Sequence, residues 1–334
     1  GGCGRIVRGR RTPVSSYAAL LDGLDRERPV VIQAHDFPDH DAVGAAYALA
    51  YLLRQDGVEA DLSYGGTIQS ASLGEEIETL KIPIEAASDV RISDDAQVII
   101  VDGFVGNSNI SGLPGEIYGV IDHHSPPLEP ATRFHDIRED FGACCTIVYS
   151  YYKETGVELS GSIATALLIG LMMDTGFMTR GVSEPDLDAF TELFFKGDWR
   201  MGSRLLKNSL SLRDLGLFRE AINACVVAGD FCFVPVTKEC TQEVMALVAD
   251  FFLGLRELSF VVVVEPDREE YRLSVRSEDV DRPADVIIRK ALDGIGAGGG
   301  HIHMGGGSIP RDLYPGEEGL RKRFIEAGAK KKKA

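Results

Sequence analysis

Val30-Val31-Ile32-Gln33-Ala34-His35-Asp36-Phe37-Pro38-Asp39-His40-Asp41-Ala42-Val43-Gly44 begins as a β-rich apolar run and breaks at a polar cluster holding a Pro. It continues into residues 42–55, whose pattern is helical. A strand that runs through a polar turn into a helix is the repeating step of an α/β sheet. The strand-to-polar-cluster step recurs downstream, where residues 98–101 end in Asp102-Gly103 and residues 118–121 end in Asp122-His123-His124. All three runs are nearly continuous in apolar residues, as expected of strands buried on both faces of a parallel sheet. Ligands of open parallel sheets sit outside the carboxyl ends of the strands, so the three polar clusters are expected to converge.

Outward from this core, residues 146–155 and 162–173 read as helices, the second so apolar that burial is expected, ending at Asp174-Thr175-Gly176. Helical patterning continues from 184 to about 228, after which residues 231–236, 260–265 and 271–277 read as strands and 242–252 and 284–293 as helices. The expected organisation is an N-terminal segment (1–29), an α/β domain (30–200) with helices on both faces of a parallel sheet, and a connecting helical segment (201–228). A smaller α+β domain (229–312) and a solvated tail (313–334) ending in Lys330 to Lys333 follow. Eight of the fourteen residues from Gly294 to Gly307 are Gly, which reads as a loop for close backbone approach. No internal repeat is evident.

With 334 residues, 44% hydrophobic and 26% charged, the chain is expected to fold as about two globular domains, not as a disordered or collagen-like polymer. Its 35 basic against 51 acidic residues give a net charge of −16, which disfavours long nucleic acid, duplexes included, and suits metal cations or small anionic ligands. The six Cys, at 3, 144, 145, 225, 232 and 240, form no C-x-x-C pair, so neither a disulfide framework nor a zinc knuckle is expected, and a cytoplasmic setting is. No apolar run reaches the roughly 18 residues of a membrane span, and Arg5, Arg8, Arg10 and Arg11 precede no signal-peptide core. The chain opens on Gly1, and its true beginning is expected to lie upstream.

The pattern His35-x-x-x-Asp39-x-Asp41 can diverge around a pair of divalent cations, or can be a Pro turn with Asp41 capping the following helix. Asp102 stands where a strand-end catalytic carboxylate would stand, and equally where a turn former would precede Gly103. Asp122-His123-His124 places three ligand-type residues in succession. Asp174 ends an almost wholly apolar helix, where an unpaired charge is costly, so it either faces a site or bonds local amides. Together His35, Asp39, Asp41, Asp102, His123 and Asp174 offer oxygen and imidazole donors without thiolate, a set suited to Mn or Mg. Two such cations would support phosphoester hydrolysis.

The stretch from His35 to Gly44, Asp102, Asp122-His123-His124 and Gly170-Leu171-Met172-Met173-Asp174-Thr175-Gly176 resemble, in order and spacing, the successive motifs of the DHH phosphoesterase family. Leu273-Ser274-Val275-Arg276-Ser277 and Gly298-Gly299-Gly300-His301 resemble its DHH-associated C-terminal domain, so the resemblance covers about residues 30–310. It implies that His35 and Asp39 bind one Mn, that Asp41, His123 and Asp174 bind the other, and that Asp102 bridges both. It also implies that His124 faces the scissile phosphate, orienting it or donating a proton, with Asp122 behind it. Arg276, Gly298, Gly299, Gly300 and His301 would hold substrate in an interdomain cleft, with His303 a further contact or a plain loop residue. Arg276 could instead be a strand-surface ion pair. The departures are Ser125-Pro126-Pro127 where degradative members carry a Thr-Asn-like pair, and His301-Ile302-His303-Met304 where small residues are usual.

The resemblance implies a Mn-dependent phosphodiesterase of the oligoribonuclease and pAp-phosphatase type, acting as an exonuclease on short RNA, or on linear dinucleotides or pAp, to release mononucleotides. A processive RecJ-like exonuclease would need an oligonucleotide-binding domain for which no residues are expected to remain. The alternatives are a manganese pyrophosphatase or exopolyphosphatase, a cyclic-dinucleotide phosphodiesterase, and a nucleotide sensor without catalysis. The pyrophosphatase relatives carry a Ser-Arg-Lys clamp that this sequence lacks. The resemblance alone admits a homodimer formed through the first domain.

Overall fold

The computed structural model describes residues 17–107, 109–125, 131–207 and 210–329. The N-terminal arginines, Pro126-Pro127 and the lysine run at 330–333 lie outside them. The chain divides at 208/209 into two compact units.

The first unit contains, in order, α1 (Tyr17–Asp22), β1 (Val30–Ala34), α2 (His40–Gln55), β2 (Ala60–Tyr64), α3 (Ala71–Leu80), β3 (Ile84–Ala86), β4 (Gln97–Val101), β5 (Glu116–Asp122) and β6 (Phe134–Ile137). It ends with α4 (Cys144–Thr155), α5 (Gly161–Asp174), α6 (Glu184–Lys196) and α7 (Trp199–Lys207). Its six strands form one parallel sheet in the order β3-β2-β1-β4-β5-β6. Strand order reverses between β1 and β4, so the crevice that open α/β sheets use for ligands lies at the carboxyl ends of these strands. Every residue of β1 and β4 is buried, which explains their unbroken apolar character. The strands β2, β3 and β6 are short or half-buried and carry no such signature.

Residues from α1, α2, α4 and α5 join one face of the sheet in a single large core. Helices were expected on both faces, but behind β4 and β5 the apolar residues Val98, Ile100 and Val120 are covered by Phe104, Ile110 and Leu113 of the β4–β5 connection. The helix α5 is buried from Ile163 through Met172, as a helix apolar on all sides must be. It meets α2 at backbone distance, because a Cβ on Gly170 would stand 2.9 Å from the Asp41 Cα and one on Gly44 would stand 2.8 Å from the Ala166 carbonyl oxygen. This crossing fixes Asp41 and the end of α5 relative to each other.

The second unit comprises α8 (Leu215–Ala224), β7 (Val226–Ala228), β8 (Phe231–Pro235), α9 (Gln242–Leu253), β9 (Phe260–Pro266) and β10 (Glu270–Ser277). They are followed by α10 (Ala284–Leu292), β11 (Ala297–Gly300), β12 (Met304–Pro310) and α11 (Gly316–Ala327). Its mixed sheet runs β11-β12-β10-β9-β8-β7, with only β8 and β9 parallel. The helical pattern read from 184 to 228 thus resolves into α6, α7, α8 and the exposed strand β7.

Two expectations fail here for physical reasons. The glycine-rich stretch is a hairpin, β11 paired with β12, whose glycines let α10 lie against the strands. A Cβ on Gly298 would sit 2.9 Å from Ile288, and one on Gly307 would sit 2.8 Å from Leu292. The segment after 312 is no solvated tail either, since α11 buries Leu320 and Phe324, one turn apart, in the core of this unit. No helix among the described residues is long and apolar enough to cross a membrane.

If the α2–α5 crossing holds the core as described, Gly170→Ala should destabilise the chain by about 1–3 kcal/mol through overpacking. Gly74→Ala on α3, where a Cβ would meet nothing within 4 Å, should gain up to about 1 kcal/mol from helix propensity. Urea denaturation of the two variants checks the contrast, and equal stability would show that the crossing has room to spare.

Candidate metal centre

Six side chains from five places in the sequence meet at the carboxyl ends of β1, β4 and β5. His35 follows β1, Asp39 caps α2, Asp41 lies in its first turn, Asp102 follows β4, His123 follows β5 and Asp174 ends α5. His35 Nε2 lies 3.8 Å from Asp39 Oδ2 and 3.7 Å from Asp102 Oδ2. On the other side His123 Nε2 lies 3.5 Å from Asp102 Oδ1, 3.0 Å from Asp174 Oδ2 and 4.0 Å from Asp41 Oδ2. Two metal-sized trios result, one of His35, Asp39 and Asp102, the other of Asp41, His123 and Asp174. Asp102 turns one oxygen toward each. A third trio, Asp102, His123 and His124, overlaps the second.

Each donor is aimed by a different device. Asp39 Oδ1 accepts the Asp41 and Ala42 amides at 3.0 Å, so the helix cap is Asp39 and its Oδ2 is left for His35. The alternative that Asp41 caps α2 is thereby corrected. Asp41 instead reaches the start of α4, where its two oxygens accept the Cys144 amide at 2.6 Å and the Cys145 amide at 2.8 Å. Asp102 adopts φ +57, the left-handed region that β-strand residues avoid, as its amide bonds the Ile121 carbonyl at 2.9 Å. His123 Nδ1 donates to the Phe141 carbonyl at 3.2 Å, which fixes the tautomer that leaves Nε2 facing the carboxylates.

Asp122 is fully buried, and its Oδ1 accepts the His123 amide at 2.8 Å, the His124 amide at 3.2 Å and His124 Nδ1 at 2.9 Å. His124 is consequently oriented with its other nitrogen away from Asp122. Around this centre lie contacts that sequence reading gave no role. His40 turns from the cluster into α3, where Nδ1 meets Glu76 Oε2 at 2.5 Å and Nε2 meets Ser72 at 3.0 Å. Asp36 binds the Ser111 amide and hydroxyl, and Asp186 binds Gly142, Thr146 and Ser183. None of these could be found from local spacing, since each partner but Ser183 lies dozens of positions away.

The electrostatics are those of concentrated negative charge out of water. Burial, together with the charges of Asp102 and Asp174, pushes Asp41 well above the usual carboxylate range, and burial with the charge of Asp39 raises Asp102. Burial opposes charge on the imidazoles too, but the surrounding carboxylates prevail. His35 rises to about 9 through Asp39 and Asp102, His124 to about 9 through Asp122, and His123 to about 12 through Asp102 and Asp174. The cluster therefore attracts positive charge.

Whether that charge fits a metal can be tested on the buried polar atoms. Among the described residues, eight buried side-chain nitrogens and oxygens lack a hydrogen bond, and two of them, Asp102 Oδ1 and His123 Nε2, face the second trio. Such atoms are costly unless something absent from the protein satisfies them. The neighbouring thiols of Cys144 and Cys145 point to backbone carbonyls of Ile121 and Asp41, so the facing donors are nitrogen and oxygen only. That donor set fits Mn or Mg.

The residues expected to touch substrate in the second unit are placed as follows. Arg276 is buried on β10, its Nε donating to Asp250 at 2.6 Å and its Nη1 to Ser274 at 3.2 Å, so the ion-pair alternative is realised. Gly298, Gly299 and Gly300 form most of β11. The His301 amide donates to the Met304 carbonyl at 2.7 Å, and His303 Nδ1 donates to the Ser277 carbonyl at 3.0 Å.

Comparison with known proteins bears on the first unit most directly. An uncharacterized protein of Methanocaldococcus jannaschii is 27% identical over 310 residues, which cover 91% of this chain and 63% of that protein. A probable manganese-dependent inorganic pyrophosphatase of Streptococcus thermophilus is 32% identical over 151 residues, covering 44% of this chain and 48% of that protein. The chain thus spans less than two thirds of the length of either curated relative. The crystal structure of an exopolyphosphatase-related protein from Bacteroides fragilis superposes with a TM-score of 0.74 at 19% identity, covering 90% of this chain and 91% of that one. Residues 29–171, which carry five of the six clustered donors, match the DHH family, N-terminal domain.

Proposed function

We propose that this chain is a Mn-dependent phosphodiesterase that hydrolyses short oligonucleotides, linear dinucleotides or pAp to mononucleotides with two cations. The observation that carries the reading is Asp102, a buried carboxylate whose Oδ2 faces His35 and whose Oδ1 faces His123. A carboxylate so placed suits a shared ligand between two cations. His35 and Asp39 would complete one site, and Asp41, His123 and Asp174 the other, with Mg as the alternative ion. A cation pair there would neutralise a phosphoester and lower the pKa of the attacking water.

The chain's own residues would do the rest. His124, held at Nδ1 by Asp122, can donate a proton from its other nitrogen to the leaving oxygen. Asp122 keeps that ring oriented and compensates its charge. On the second unit, Arg276, Gly298, Gly299, Gly300, His301 and His303 remain the proposed substrate contacts. The net charge of −16 supports short substrates over a long single strand. The pyrophosphatase name of the Streptococcus thermophilus relative favours a second reading, hydrolysis of inorganic pyrophosphate by the same centre.

Hydrolysis of a linear dinucleotide, a five-nucleotide RNA, pAp, cyclic di-AMP, a long single strand and pyrophosphate with added Mn separates these readings. The short nucleotides should be turned over fastest. Pyrophosphate alone would decide for the second reading, and nucleotide binding without turnover would leave a sensor. Asp102→Ala should lower kcat by at least about a hundredfold and reduce bound Mn from two equivalents toward none, because it faces both trios. Unaltered metal content by atomic absorption would sink the shared-ligand assignment.

Metal removal gives a pH test with a definite sign. In the metal-free protein His35 and His124 have folded values of about 9 against 6.5 for the unperturbed side chain. Their contribution to stability is complete below pH 6.5 and is lost as pH rises through about 9. Melting temperature in EDTA should therefore fall across that window. The increment on adding Mn should widen over the same window, since the ion no longer displaces protons. An increment that shrinks with rising pH would place the metal elsewhere.

A further inference from the structure

We propose that Phe37 and Phe177 form an aromatic rim that stacks on a nucleobase while its phosphate occupies the carboxylate–imidazole centre, making the site selective for nucleotides over bare phosphate compounds. The inference rests on the phosphoesterase reading and names its substrate class. Phe37 is 50% exposed and Phe177 is 42% exposed, although each belongs to a turn that supplies ligand-type residues. Phe37 stands two residues from both His35 and Asp39, which limits its Cα to within about 7 Å of theirs. Phe177 stands three residues past Asp174, and its amide donates back to the Met172 carbonyl at 2.7 Å, which folds it over the end of α5.

Both rings are shown to solvent by rigid backbone. The Asp36 amide donates to the Asn109 carbonyl at 2.7 Å, its carbonyl accepts the Thr67 amide at 2.9 Å, and its carboxylate holds Ser111. Pro38 and the Asp39 cap follow immediately, so Phe37 has little freedom to turn inward. Phe177 adopts φ +58 between Gly176 at +54 and Met178 at +61, and the Met178 amide is tied to the Thr175 hydroxyl. A left-handed conformation at a bulky side chain costs about 1–2 kcal/mol, and a ring left 42% exposed recovers only part of what full burial would return. Strain that holds an aromatic residue in water at the edge of a site is characteristic of a surface awaiting a ligand.

The ligand chemistry follows from what a flat, uncharged ring can add. Pyrophosphate and polyphosphate are charged throughout and gain nothing from Phe. A nucleotide carries its base one sugar from the phosphate, and every base has a face on which Phe can stack without regard to sequence. Such a rim would admit any base, as required of an enzyme clearing short fragments of mixed sequence.

The test uses the full chain loaded with Mn, with Phe37→Leu and Phe177→Leu singly and together. Leucine keeps the Cβ and the apolar character, and both side chains lie at the surface, so the fold should survive. Calorimetric titration should show AMP binding wild type at least about tenfold more tightly than ribose 5-phosphate. That ratio should fall about fivefold in each variant and further in the double variant. Equal affinity for the two ligands in wild type, or an unaltered ratio in the double variant, would overturn the rim. Turnover of a linear dinucleotide beside its abasic analogue distinguishes the two layers of inference. Failure to hydrolyse either, with the binding ratio still collapsing in the variants, would refute the hydrolase and leave the rim. Mn-dependent hydrolysis of both at equal kcat/KM would refute the rim and leave the hydrolase.

Discussion

Carboxylates taken out of water at the ends of parallel strands must each find a counter-partner, and this requirement organises the first unit. Asp41, Asp102 and Asp122 are all buried, yet each is compensated differently. Asp41 is held by the first amides of α4, and Asp122 by the His123 and His124 amides and one imidazole. Asp102 alone has only imidazole edges at 3.5 Å or beyond, too long for hydrogen bonds of ordinary strength. A carboxylate left in this condition is the natural seat of a cation. The glycine crossing of α2 and α5 and the tether from His123 to Phe141 serve the same end, because they hold the neighbouring donors at distances a cation could bridge.

The strand, polar turn and helix around residue 35 were legible because their physics is local. Burial on both faces requires unbroken apolar runs, and a ligand-bearing turn requires residues that break the run. What was not legible is long-range. Asp41 looked like a candidate cap for its own helix, whereas its partners lie 103 and 104 residues away on α4. His40, seated between two donors, showed nothing of its turn away toward Glu76. The same holds behind β4 and β5, where the β4–β5 connection supplies the cover.

In the second unit local propensity was misleading in a consistent way. Glycine disfavours strands when judged alone, so 294–307 read as a loop. Backbone contact with Ile288 and Leu292 instead makes the missing side chains a condition of packing. Residues 316–327 are rich in charge, and two apolar positions one turn apart, Leu320 and Phe324, were enough to dock the helix. Arg276, chosen for its chemistry, also has a structural task, the ion pair with Asp250. A guanidinium shared between Asp250, Ser274 and the Val275 carbonyl is held in one orientation, which a phosphate contact would also need.

The clustered donors all lie in the first unit. The family match ends at residue 171, and the pyrophosphatase relative aligns with 44% of the chain. Residues 29–171 hold five of the six clustered donors, and a cation site does not by itself distinguish a phosphodiester from an anhydride. Discrimination has to come from groups that meet the remainder of the substrate. Phe37, Phe177 and the second-unit residues Arg276 and His301 are the groups proposed for that task, and the likeness of the chain at 19% identity to a solved structure is one of fold alone. A shared centre with a divergent surround is how one metal site comes to serve several phosphoester substrates.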